Sequence, residues 1–174
     1  NLALVATAVF VGIGQGIQPL ASHDFGKGRL KELKKTLQYA IVLSILIAVF
    51  FNLIAFAFTD KLVSIFNSED NLKLAGLAGK GLRLYFTGFI FAGLNIVITA
   101  YLSAIQRAGQ AFFISIGRGF IAIIPLALIL SYLFAMEGVW LSFPAAEVTT
   151  AMISAYYLIQ LDRREVRVTG EVFN

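Results

Sequence analysis

The sequence predicts an all-α integral membrane protein with five transmembrane helices. Composition and the length of the apolar runs carry that reading. Of 174 residues, 59% are apolar and 14% charged, with a mean hydropathy of +0.83. Soluble domains run at about 45–50% apolar and about 25% charged. So few polar side chains cannot cover a chain of this size in water, so lipid is the expected solvent. A bilayer core of about 30 Å needs roughly 20 apolar residues in a helix, and five runs qualify. An open sheet would leave its edge groups unpaired in lipid, so runs of this length are read as helices.

The first run is 2–21, with Gly12, Gly14 and Gly16 inside it. The second, 37–58, holds only Gln38, Ser44 and Asn52 as strongly polar residues. The third, 82–104, has Arg83 at its start and Asn95 and Thr99 within. The fourth, 112–134, carries Arg118 near its start and Pro125 in its middle. The fifth, 139–159, carries Pro144 and Glu147. Residues 1–161 form one membrane unit, followed by a polar tail, 162–174, expected to fray. The connections are polar, and Leu62, Val63, Ile65 and Phe66 suggest a short amphipathic turn on the membrane surface. Glu137-Gly138 is the shortest connection and predicts a tight antiparallel pair.

Five helices place alternate connections on opposite faces. One face takes 22–35, 106–110 and the tail; the other takes 59–81 and 137–138. Of the 14 lysines and arginines, ten fall on the first face and four on the second. Lys and Arg concentrate on cytoplasmic loops, so the tail is expected to be cytoplasmic in a multi-pass protein of the cell membrane. The net charge of +4 is then a topology signal, and no nucleic-acid partner is needed. The absence of cysteine excludes disulfides and thiolate metal sites, and the single His23 cannot build a His-rich metal site. It is expected to cap or flank a helix end, with a proton relay as the sharper alternative. The chain enters an apolar run at Asn1 without a basic leader segment, which suggests that sequence is missing upstream.

Several polar residues lie where lipid would be costly. Gln15 and Gln18 share a helix face, and Asn95 and Thr99 share another near mid-membrane. Each pair is open to two readings, hydrogen bonding between helices or lining a polar cavity. Gly12-Ile-Gly-Gln-Gly16 has the look of a dinucleotide loop, but it sits inside a membrane helix and not between a strand and a helix, so close packing or local unwinding is expected. Glu147 is the most informative residue. It has no Lys or Arg within three turns of its own helix, and an intramembrane carboxylate is expected to face the bundle interior or water. Protonated, it could carry a proton or bond a neighbouring helix; ionised, it could hold a cation. Arg118 is expected to snorkel towards the nearer membrane face, with a gating role as the alternative. No hydrolytic constellation or phosphate loop is present, and an enzyme is not expected.

The segment Gly12-Ile-Gly-Gln-Gly-Ile-Gln-Pro-Leu-Ala-Ser-His-Asp-Phe-Gly-Lys-Gly28 with its basic continuation resembles the start of the second lobe in multidrug and toxic compound extrusion (MATE) transporters. The branch of staphylococcal-type multidrug exporters is the most similar. Leu84 to Asn95, Gln106 to Gly109, Ser115 to Arg118, Ile124 to Leu126 and Gly138 to Glu147 continue the resemblance in register. It implies a twelve-helix fold of two six-helix lobes, of which these five helices are the last five, with the N-terminal lobe and the first helix of the second lobe missing. It also implies a secondary-active antiporter that exports small organic cations and drugs, with sodium or protons as coupling ion and no cofactor. Gln15, Gln18, Asn95 and Thr99 would line its cleft, and Glu147 would be the ion or proton site. Several sodium-coupled members carry an acidic residue where Asn95 stands, so coupling here would rest on Glu147 or on the absent lobe. Two other readings stay open. A flippase for lipid-linked precursors would need several basic groups in its cleft, and Arg118 is the only interior candidate. A non-transporting membrane scaffold would need none of these sites.

Overall fold

The computed structural model describes residues 2–66 and 72–172. Among the described residues there are helices and turns but no strand. The elements are α1 (Leu2–Gly26), α2 (Leu30–Ala57), α3 (Thr59–Phe66), α4 (Leu72–Thr87), α5 (Phe89–Ala104), α6 (Ala108–Ile116), a π turn (Gly117–Ile121) and α7 (Ile123–Val172). Among the described residues three helical stretches are long and apolar enough to cross a membrane, and a fourth arises if the bent pair 75–87 and 89–104 counts as one span.

The last of these stretches, 108–162, is 55 residues long. At 1.5 Å per residue a straight helix of that length would run about 80 Å, far more than a bilayer of about 30 Å. It is in fact broken at Ala135, where φ is 49° and ψ −126°. Arg118 on one side of the break and Glu147 on the other form an ion pair at 2.8 Å, which only a chain that folds back can do. The break therefore divides the stretch into two passes, giving five in all. The turn lies two residues before the expected Glu137-Gly138 corner. Gly138 follows it because the backbone there lies against the Leu130 carbonyl, leaving no room for a side chain.

Other boundaries also move. The third span is two helices bent by 40° at Gly88, where a Cβ would sit 2.8 Å from the Phe143 ring. The joint is thus pressed against the second arm of α7. In the fourth span the irregularity falls upstream of Pro125. The Ala122 N–H reaches back to the Gly117 carbonyl at 2.8 Å, a π-type bond. Pro125 has no N–H to give the Ile121 carbonyl and its ring crowds that group, so the widened turn lies immediately before it. Beyond Asp162, where a frayed tail is expected, the backbone stays helical to Val172.

α5 lies at the centre, packed against α1, α2, α6 and α7. Small residues allow it. Gly93 meets Phe10 so closely that a Cβ would lie 2.6 Å from the ring, and one on Gly14 would lie 3.0 Å from Ala100. Two apolar clusters result. One gathers Ala21, Leu33, Leu102 and Ile114; the other gathers Phe10, Phe86, Phe89 and Ala48. Ion pairs tie the connections at each end: Lys34 to Asp162 at 2.5 Å and Lys80 to Glu137 at 3.5 Å. Each joins two segments that the alternation of helices assigns to one face.

Candidate functional site

Between the two apolar clusters lies a polar layer. Its anchor is Asn95 on α5, wholly buried. The Asn95 amide Nδ2 donates to Glu147 Oε2 at 2.8 Å and to the Glu147 carbonyl at 2.9 Å. Its Oδ1 accepts from the Ser154 hydroxyl at 2.9 Å, one helical face along from Glu147. The Thr99 hydroxyl, one turn further along α5, donates to the Asn95 carbonyl at 2.7 Å. These bonds fix which end of the amide points which way, because only Nδ2 can donate to a carboxylate.

Glu147 is 2% exposed. Its second oxygen, Oε1, accepts from Arg118 Nε at 3.1 Å and pairs with Nη2 at 2.8 Å. This is a two-nitrogen contact onto one oxygen, reinforced by the amide on the other. Arg118 therefore does not snorkel towards a membrane face. The π turn aims its guanidinium inward, where the cost of a buried carboxylate draws it. On the sequence Glu147 has no basic neighbour on its own helix; folding supplies one from 29 residues earlier.

Beside this layer an open groove of about 360 Å³ runs along the α1–α5 seam, lined by Gln15, Gln18, Thr99, Ser103, Ser115 and Arg118 with Val11, Gly14, Ile96 and Ala100. A second hollow of about 710 Å³ shares Gln18 and Ser103 and continues past Ser22 to Gly26 and Gln106. The two form one polar track from mid-helix to the end where α1 meets the basic connection. Of the expected site residues, Gln15, Gln18 and Thr99 lie on the groove wall. Asn95 does not: it is sealed behind the wall and bonds Glu147. Glu147 too is held back from the groove, with Arg118 in front of it. Ser103, Ser115 and Ser154 are members that sequence reasoning did not place in the site, and Arg118 entered it only as an alternative gate. Ser154 stands seven residues after Glu147, the two-turn repeat of one helix face, and that spacing could have found it. His23 sits at the end of α1, its Nδ1 3.3 Å from Asp24, outside the polar layer. No group of three or more His, Cys, Asp or Glu that could hold a metal occurs among the described residues.

A family model for MatE matches residues 1–133. The chain is similar to the multidrug export protein MepA of Staphylococcus saprophyticus subsp. saprophyticus, at 25% identity over 162 residues, 92% of this chain and 34% of the relative. It is also similar to the uncharacterized protein MG447 of Mycoplasma genitalium, at 28% identity over 133 residues, 72% of this chain and 23% of the relative. Among solved structures, the MATE multidrug transporter DinF-BH, determined as a ligand complex, shares the fold with a TM-score of 0.80 at 23% identity, over 91% of this chain and 35% of that one. The chain thus spans about a third, or less, of the length of the proteins it matches.

Proposed function

This chain belongs to the MatE family, and on that premise we propose that it is the C-terminal part of a secondary-active antiporter of the cell membrane, exporting organic cations and drugs in exchange for sodium or protons. The observation that carries this reading is the polar groove of Gln15, Gln18, Thr99 and Arg118 backed by a buried carboxylate. The other described buried polar side chains, Ser44, Thr59, Ser142 and Thr150, are hydroxyls bonded to backbone carbonyls three or four residues earlier; a layer with a carboxylate and a guanidinium is costly unless it is used. A cleft at mid-depth between helices is where secondary transporters hold cargo and coupling ion. The rest of the cleft would come from an N-terminal lobe, with which this unit would rock between inward-open and outward-open states. The C-terminus would be cytoplasmic, on the side rich in Lys and Arg.

Glu147 is the coupling group in this reading, by taking up a proton or a sodium ion. A flippase for lipid-linked precursors finds less support, since Arg118, the one partly buried cation among the described residues, is already neutralised by Glu147. The test is efflux of the cationic dye ethidium from proteoliposomes holding the whole transporter, under separate sodium and pH gradients. Export should follow one gradient and stop in Glu147→Gln, which should remain folded by gel filtration. Undiminished export by that variant would remove Glu147 from the mechanism.

A further inference from the structure

We infer that Arg118 is a tethered counter-cation: it neutralises Glu147 while cationic cargo is bound, and becomes an unpaired positive charge on the groove wall when a small cation takes Glu147, so evicting the cargo. This role rests on the antiporter reading above and adds to it the means of release.

The geometry has three parts. First, Arg118 stands between the carboxylate and the groove. Its side chain is 23% exposed and that of Glu147 3%, and Arg118 lines the groove with Gln15, Gln18 and Thr99 while Glu147 does not. Second, a small cation cancels the charge of Glu147 whichever oxygen it takes. Oε1 already accepts from two Arg118 nitrogens, while Oε2 accepts from Asn95 Nδ2 and keeps a second lone pair. A proton or a sodium ion therefore either takes that lone pair or displaces Arg118 from Oε1, and in both cases Arg118 loses the charge that neutralised it. Third, the arginine keeps its charge, because a guanidinium does not lose its proton in proteins. The pair is neutral before the exchange and carries +1 after it, with the charge on the group that faces the groove.

Tyr85 on α4 lies in electrostatic reach of both members of the pair, and its phenol is uncharged at working pH. α5 and the second arm of α7 add Asn95, which bonds Glu147, and Ser154, which bonds Asn95; neither titrates. Nothing described at the site therefore cancels the freed charge. Two like charges several ångströms apart, in a groove of lower polarity than water, repel enough to weaken binding by roughly tenfold.

The experiment measures ethidium affinity by fluorescence in the purified whole transporter, as pH and sodium are varied separately. The wild type should lose roughly tenfold in affinity when either acid or sodium, whichever is the coupling cation, takes Glu147. Glu147→Gln should bind weakly under all conditions, because Arg118 is then permanently unpaired. Glu147→Gln with Arg118→Gln should recover wild-type affinity and respond to neither cation. Thermal unfolding of each variant separates repulsion from misfolding. If Glu147→Gln does not fold, Arg118→Gln alone decides: in acid or sodium, where the wild type carries the unpaired charge, it should bind ethidium roughly tenfold more tightly than the wild type. A double variant as weak as the single one, or an Arg118→Gln that binds as weakly as the wild type in acid and in sodium, would overturn the role of Arg118. Both outcomes leave the antiporter reading intact if wild-type proteoliposomes export ethidium; absence of that export sinks the antiporter reading itself.

Discussion

α2 and α5 are both strongly apolar, yet they occupy opposite environments. α2 turns Tyr39, Val42, Leu46, Phe50 and Leu53 outward and buries a narrow line of Leu33, Ala40, Ser44, Ala48 and Ala55. α5 is enclosed on most sides and buries Phe89, Ala92, Gly93, Asn95, Val97, Ile98, Ala100, Tyr101 and Leu102. Hydropathy does not separate the two, because lipid and protein interior are equally apolar. Side-chain size and polar anchoring do. α5 places small residues where neighbours must approach, and it carries Asn95, whose amide bonds to α7. α2 makes its one packed line from small residues about four apart and leaves its bulk for lipid, the packing usual between membrane helices.

Single substitutions separate the two helices, with stability read from thermal unfolding of the protein in detergent. The largest effect is expected from Asn95→Leu on α5. It leaves Glu147 Oε2, the Glu147 carbonyl and the Ser154 hydroxyl without their partner, and a loss of about 3 kcal/mol or more is expected. Leu102→Ala, on the same helix and fully buried, should cost about 2 kcal/mol, mainly through the cavity it leaves. The transfer part of the usual penalty shrinks when lipid is the alternative solvent. Ala48→Leu thickens the packed line of α2 and should cost about 1–2 kcal/mol by overpacking. Leu46→Ala makes the same truncation as at Leu102, but on a residue 61% exposed. It should fall within about 0.5 kcal/mol of the parent protein. Equal losses at Leu46 and Leu102 would mean that the outer face of α2 is covered by protein, and the contrast between the two helices would fail.

The site was only half legible. Gln15, Gln18 and Thr99 could be read as polar residues that need a reason to sit in a membrane helix, and they do share a groove. Asn95 and Glu147 could be read as buried polar residues but not as each other's partners, since 52 residues separate them. The position of Arg118 invited the wrong solution. A basic residue near a helix start can reach water along its own helix, and nothing local says that a carboxylate waits on the next one. The π turn that aims it inward depends on Pro125 and on packing against α7, and no periodicity announces it.

Runs of residues alone establish that the chain is helical and membrane-embedded, and which connections share a face. They do so because the bilayer imposes length and satisfied backbone bonds on every span. They also establish that some polar residues must avoid lipid. Only the tertiary structure decided which helix is central, where the spans break and who neutralises Glu147. Those outcomes depend on close approach between segments far apart in the chain: Gly93 under Phe10, Gly88 against Phe143, and the fold-back at Ala135 that brings Arg118 to within 2.8 Å of Glu147. A charge with one position in the sequence has many places to go, and only packing leaves it one.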